Sequence, residues 1–138
     1  YGLVGSEMCI RDRYKTVSLE EFFEYSKSMF AYWTEDDFAS SFRKMLTIEQ
    51  FRSEEMQGLY QQYLSSGPAA YVKDLFESMG IAHAEENAVR FYATMYFYYS
   101  VYDGADDKEK VKNEFASAIG SMAQEWIKQP KLTQIRKS

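Results

Sequence analysis

Residues 88–102 read AVRFYATMYFYYSVY, and seven of these fifteen side chains are aromatic. Neither Gly nor Pro interrupts the run, and Arg90 is its single charged residue. Because aromatic residues lie on most faces of such a helix, it has to be covered on nearly every side. The run therefore predicts a central, largely buried helix. Helical spacing gives it one apolar stripe, formed by Ala88, Phe91, Tyr92, Met95, Tyr99 and Tyr102.

Five of these aromatic residues are tyrosines, which changes what the helix is expected to do. A buried phenol needs a hydrogen-bond partner, so Leu or Phe would fill a core more simply. Two uses suit tyrosine better, namely the wall of a small-molecule pocket and a face against another subunit. An ordinary central helix whose hydroxyls reach the surface is the third interpretation, and the residues alone leave all three open.

Capping residues and a period of about 3.6 residues divide the rest of the chain into further helices. No alternating run typical of a strand occurs, and the helix spacing does not repeat. The pattern predicts an all-α, six-helix bundle over residues 14–128. The predicted helices begin near Ser18, Thr34, Ser53, Pro68, His83 and Asp106.

The first thirteen residues need separate treatment, because residues 3–13 read LVGSEMCIRDR. This stretch resembles one reading frame of a transposase-type sequencing-library adaptor. We therefore expect residues 1–13 to be a disordered artefact outside the fold. Cys9 is then not native, and the natural chain enters near Tyr14 from a lost upstream portion. A genuine flexible N-terminal arm is the alternative interpretation.

Charge is unevenly distributed along the chain. Residues 14–127 carry a net charge of −9, whereas residues 128–138 carry +4. An acidic body is a poor partner for nucleic acid. The basic end, residues 129–138, is expected to be a flexible tail.

The composition argues against a bound cofactor and against a membrane-spanning helix. With one Cys and one His, a disulfide framework is excluded and no metal site or other cofactor is predicted. No apolar run approaches the ~20 residues that a membrane span requires, so no membrane partner is expected.

Catalytic motifs are missing from the sequence as well. The glycines are dispersed, so there is no phosphate-binding loop. His83 has no Ser or Asp companion in a fixed local motif. Paired acids lie at predicted helix starts, where the helix dipole accounts for them. We predict that the protein is not an enzyme, while a small all-α enzyme built from scattered residues stays an open alternative.

Aromatic and methionine side chains point to binding instead. Apolar walls with a few polar tips are typical of small-molecule sites, although simple core packing would use the same residues. The predicted effector-binding residues are Tyr25, Phe42, Tyr60, Phe91, Tyr92, Met95 and Tyr96.

The last two predicted helices are apolar on more faces than one small bundle can cover. Pairing with the same helices of a second copy would bury these faces, so a homodimer is predicted. The predicted interface residues are Tyr98, Tyr102, Phe115, Ile119, Met122 and Trp126.

Residues 42–63 read FRKMLTIEQFRSEEMQGLYQQY. This stretch resembles the ligand-binding domain of TetR/AcrR-family transcriptional regulators, in particular a Gram-positive type with R-x-L-L-T-I-E-Q-[FY]-R-N-P-E-[IL]-x-x-L-Y. Residues 45–52, MLTIEQFR, match closely, and Leu59 and Tyr60 match again. Residues 53–56, SEEM, depart from the usual Asn-Pro-Glu-aliphatic sequence. The resemblance covers about residues 18–126.

The resemblance implies a cytoplasmic, one-component regulator whose C-terminal helices bind a small apolar or amphipathic effector. It also implies that the last two helices form a four-helix bundle with those of a second chain. Effector binding would shift the spacing of two DNA-reading heads. The helix-turn-helix domain of such proteins is missing from this sequence, so operator DNA is expected as a partner only through that domain. The alternative is a helical homodimeric interaction module without effector or DNA binding.

Overall fold

The computed structural model describes residues 17–128, which are helical with short connections and contain no strand. The predicted all-α class is confirmed. The helices are α1 (Leu19–Glu35), α2 (Asp37–Glu49), α3 (Glu54–Leu64), α4 (Ser66–Ser78), α5 (Ala84–Gly104) and α6 (Lys108–Lys128). Because Ser65 alone separates α3 from α4, the two can also be taken as one broken helix. Residues 17–128 therefore form six helices or five, depending on whether the chain is counted as broken at Ser65.

Two predicted segments lie outside the described residues. They are the adaptor-derived artefact at residues 1–13 and the basic flexible tail at residues 129–138.

Side-chain caps explain where the first helices begin. Ser18 and Glu21 form a capping box, in which the Glu21 N–H donates to Ser18 Oγ at 3.1 Å. The second helix begins two residues later than predicted, because Thr34 belongs to α1. Its hydroxyl donates to the Phe30 carbonyl at 2.6 Å, and Asp36 caps α2 by accepting from the Ala39 N–H at 2.9 Å.

The core is built around the inner face of α5. All six residues of the predicted stripe on this helix are buried. Rings from other helices close over them. Phe30 of α1 stacks on Phe115 of α6 with ring centroids 4.3 Å apart, and Phe76 of α4 packs against Trp126 of α6 at 4.7 Å. Aromatic contacts between four helices therefore hold the bundle together.

Four of the six residues predicted for a dimer interface belong instead to this core. Tyr102, Phe115, Ile119 and Trp126 are each at most 8% exposed within a single chain. Side chains that their own chain already covers cannot present a face to a second chain. The remaining two, Tyr98 and Met122, are partly buried and pack against the same core.

Apolar side chains are left open on the outer face of α5, as they also are at Phe38, Ile48 and Phe51. Val89 is 55% exposed and Phe97 is 61% exposed, with Ala93 exposed between them. The three residues are spaced four apart and therefore share one face of the helix. One chain covers the inner face of α5 and leaves this outer face to solvent.

Candidate functional site

A cavity of about 180 Å³ lies between α1, α3, α4 and α5. None of the residues that line it, all within the described part of the chain, carries a formal charge. Its surface is mostly aromatic, with several phenol groups. This combination of an apolar wall and a few polar tips is typical of small-molecule sites.

Helix α1 supplies one wall of the cavity. Its lining residues recur at helical spacing, so a single face of α1 points inward. Ser26 is the small polar member of this face, and its Oγ donates to the Phe22 carbonyl at 2.8 Å. The residues from α1 are Phe22, Tyr25, Ser26, Met29 and Trp33.

The break between α3 and α4 forms the second wall. In a continuous helix the Leu64 carbonyl would accept from the N–H of residue 68, but Pro68 has no N–H and its ring clashes with that carbonyl. The Tyr92 hydroxyl of α5 donates to the Leu64 carbonyl instead, at 2.5 Å. Gly67 fits the tight bend, since a Cβ there would lie 2.2 Å from the Gln62 backbone oxygen. The chain break and the tyrosine that satisfies it therefore shape the cavity together.

Helix α5 supplies the third wall with Phe91, Tyr92, Met95 and Tyr99. These residues follow the predicted stripe and lie on the inner face of the helix. Tyr99 stacks on Phe30 at 5.6 Å, which holds its ring against α1. The wall formed by α5 is consequently part of the core and of the cavity at once.

A partly buried ion pair lies next to this wall. The Arg43 guanidinium binds both carboxylate oxygens of Asp103, at 2.8 and 3.0 Å, and its Nε donates to the Trp33 carbonyl at 3.0 Å. It also lies over the Tyr99 ring, 5.0 Å from the centroid. One side chain from the middle of α2 thus joins the C-terminal ends of α1 and α5 beside two residues that line the cavity.

Of the seven residues predicted to bind an effector, the structure brings four together around the cavity. These are Tyr25, Phe91, Tyr92 and Met95. The other three lie elsewhere, because α2 contributes no residue to the lining and because one residue of α3 and one of α5 face a different groove. The three residues away from the cavity are Phe42, Tyr60 and Tyr96.

Tyr60 and Tyr96 meet on the outer side of α5. Their hydroxyls hydrogen-bond to each other in a surface groove that also contains Val89 and Phe97. Burial, reinforced by the hydrogen bond to Tyr96, raises the pKa of the Tyr60 phenol to about 12. This phenol therefore stays protonated at neutral pH.

Phe42 packs edge-on against Tyr63 at 5.4 Å and parallel to Phe38 at 6.0 Å. It therefore supports a residue that lines the cavity without lining the cavity itself.

Several lining residues escaped the sequence-based prediction. Helical periodicity places Phe22, Ser26 and Trp33 on one face of α1, but it does not tell which part of that face borders a void. In the sequence, Gly67 and Pro68 mark a helix boundary and nothing more. Their role follows from the position of α5, which no local pattern reveals.

Within residues 17–128, no three His, Cys, Asp or Glu side chains come together in a way that could hold a metal ion. None of the described helices is both long and apolar enough to cross a membrane.

No family model, no curated protein and no solved structure matches this chain. A functional assignment therefore rests on the residues and on the geometry of the cavity.

Proposed function

We propose that this chain is the effector-sensing and dimerisation domain of a TetR-like one-component transcriptional regulator, in which a separate domain recognises the operator. The observation that carries the proposal is the cavity between α1, α3, α4 and α5. The stretch that resembles TetR ligand-binding domains, residues 42–63, spans parts of α2 and α3 and contributes Gln62 and Tyr63 to the cavity wall.

The volume of the cavity supports a binding role. Protein cores are close-packed, and voids larger than a water molecule are few. The space of about 180 Å³ between these helices is partly open to solvent, so a small molecule can enter it from outside. An accessible apolar recess with a few polar groups is typical of a small-molecule site.

A second copy of the chain is proposed to cover the outer face of α5. Val89, Ala93 and Phe97 form an exposed apolar stripe there, whereas four of the six residues predicted for the interface lie in the core. An apolar stripe of this kind is typical of a protein interaction surface. A two-fold symmetric pair would place the stripe of one copy against the same stripe of the other.

The cavity and this stripe lie on opposite sides of one helix. Tyr92 borders the cavity on the inside and the outer groove on the outside. A ligand that moves or stiffens α5 therefore alters the surface that the second copy would contact. In this mechanism the free energy of coupling between ligand binding and dimerisation arises from a single element.

The helical interaction module without an effector is the second candidate function. It is favoured by the exposed stripe on α5, which does not depend on the cavity. The two candidates differ in one measurable quantity, the effect of a bound ligand on self-association.

The experiment is sedimentation equilibrium on the full chain, with and without toluene as a small apolar probe. We expect self-association, and we expect toluene to change the dimer dissociation constant by at least about fivefold, a typical allosteric factor. Phe97→Ser should weaken the dimer without loss of stability, because the side chain is exposed. Val72→Phe, which fills the cavity, should associate but no longer respond to toluene.

An unchanged dissociation constant in the presence of bound toluene would leave the interaction module as the better description. Absence of any self-association would refute the dimer.

A further inference from the structure

We infer that the cavity binds a neutral compound with a single aromatic ring that carries one O–H or N–H donor. This inference rests on the proposed function and adds to it the chemical class of the effector. It follows from three properties of the cavity, namely its volume, its lack of charge and the direction of the hydrogen bonds already made in its wall.

The volume of the cavity suits a ligand with one ring. An apolar cavity of about 150 Å³ in another protein holds benzene. A cavity of about 180 Å³ has room for the same ring with one short substituent. Aromatic walls such as Trp33 and Phe91 also suit a flat ring, which can pack edge-on or offset against them.

The lack of charge excludes an ionised ligand. Among residues 17–128, no Asp, Glu, Lys, Arg or His side chain lines the cavity. The cation beside the cavity, Arg43, donates to both carboxylate oxygens of Asp103 and to the Trp33 carbonyl. Its guanidinium also lies over the Tyr99 ring, 5.0 Å from the ring centroid. A carboxylate or an ammonium group would lose its water without gaining a partner of opposite charge.

Two hydroxyls in the wall indicate which polar group the ligand carries. Ser26 is 1% exposed, lines the cavity, and has committed its proton to the Phe22 carbonyl. A hydroxyl that has donated its proton still accepts through its lone pairs. The Tyr92 proton is likewise committed, to the Leu64 carbonyl, so neither hydroxyl donates to a ligand. Ser26 Oγ is therefore an acceptor, and it matches a ligand that brings a donor.

The test compares phenol with toluene, which have nearly the same shape and differ in that phenol carries a hydroxyl where toluene carries a methyl group. Both are titrated calorimetrically into the full chain at pH 7. We expect Ser26→Ala to lower the affinity for phenol at least about fivefold, the equivalent of one hydrogen bond, and to leave toluene within twofold. Benzoate and benzylamine, both ionised at this pH, should bind at least about 100-fold more weakly than phenol.

Thr34→Ala is the matched control. Thr34 lies on the same helix, is buried, and donates to a carbonyl four residues back as Ser26 does, but it does not line the cavity. It should bind both compounds as the wild-type chain does.

Three outcomes would overturn the inference. Equal losses for phenol and toluene in Ser26→Ala, or no loss for phenol, would remove the donor requirement. Benzoate or benzylamine binding as tightly as phenol would remove the requirement for neutrality. In both cases the cavity still binds ligands and the proposed function stands. Failure of both phenol and toluene to bind would remove the inference and the effector-sensing role together.

Discussion

Replacing Tyr92 by Phe isolates the hydrogen bond that closes the break between α3 and α4. The substitution removes the hydroxyl that donates to the Leu64 carbonyl at 2.5 Å and keeps the buried ring. Because Pro68 has no N–H to offer in its place, the carbonyl is left buried without that donor. An unsatisfied buried polar group costs about 1–3 kcal/mol, so we expect Tyr92→Phe to lower the free energy of unfolding by about 2 kcal/mol.

Pro68→Ala supplies the missing donor and turns this expectation into a double-mutant cycle. With Ala at position 68, the backbone N–H can pair with the Leu64 carbonyl as in a continuous helix. Tyr92→Phe should then cost about 1 kcal/mol less in the Pro68→Ala background than in the wild-type chain, a coupling typical of residues in one hydrogen-bond network.

Urea denaturation followed by far-UV circular dichroism measures all four variants of the cycle. Tyr63→Phe is the control, because it removes a phenol from the same cavity and should change stability by no more than about 0.5 kcal/mol. Equal costs of Tyr92→Phe in the two backgrounds would refute the reasoning, since they would mean that the Leu64 carbonyl does not depend on Pro68.

Two further predictions concern charge and pH. Asp103→Asn leaves the buried Arg43 guanidinium without its counterion, and because Asp103 is partly exposed we expect a loss of about 3 kcal/mol in urea denaturation, at the low end for buried pairs. Lys44→Gln, which alters an exposed amine 4.0 Å from the same carboxylate, should cost less than about 0.5 kcal/mol. The pKa of the Tyr60 phenol is raised from 10.0 to about 12 in the folded chain, so the unfolded chain loses that proton first. Stability should therefore fall as pH rises from 10 to 12, and Tyr60→Phe should show a shallower fall in a pH series of thermal melts. An identical slope in the two proteins would contradict the assignment.

The helices themselves were largely predictable from local sequence. Ser18 with Glu21 marked the start of α1, and Ser53 marked the start of α3, where its Oγ accepts from the Met56 N–H at 3.2 Å. The inner stripe of α5 was predicted in full. These features depend on residues within about one helical turn of each other, so the sequence around each position contains the information.

The fold separates the residues that were predicted to form one effector-binding site. Four of its residues meet at the cavity, whereas Tyr60 and Tyr96 pair on the opposite side of α5. Periodicity shows that a residue is apolar and shares a face with others, but it does not show which neighbour covers that face. For the same reason Phe115 and Trp126 were assigned to a dimer interface although α1 and α4 cover them in the core.

By itself, the sequence determined the helical class, the caps of α1 and α3, the absence of a disulfide framework and the aromatic inner face of α5. Only the tertiary structure decided where the cavity lies, which surface stays open and which polar groups are satisfied. The bonds that settle these points join residues far apart along the chain, 28 positions for Tyr92 with Leu64 and 60 for Arg43 with Asp103. Helix formation is governed by neighbours a few residues away, whereas a cavity exists only where distant helices meet without filling the space between them.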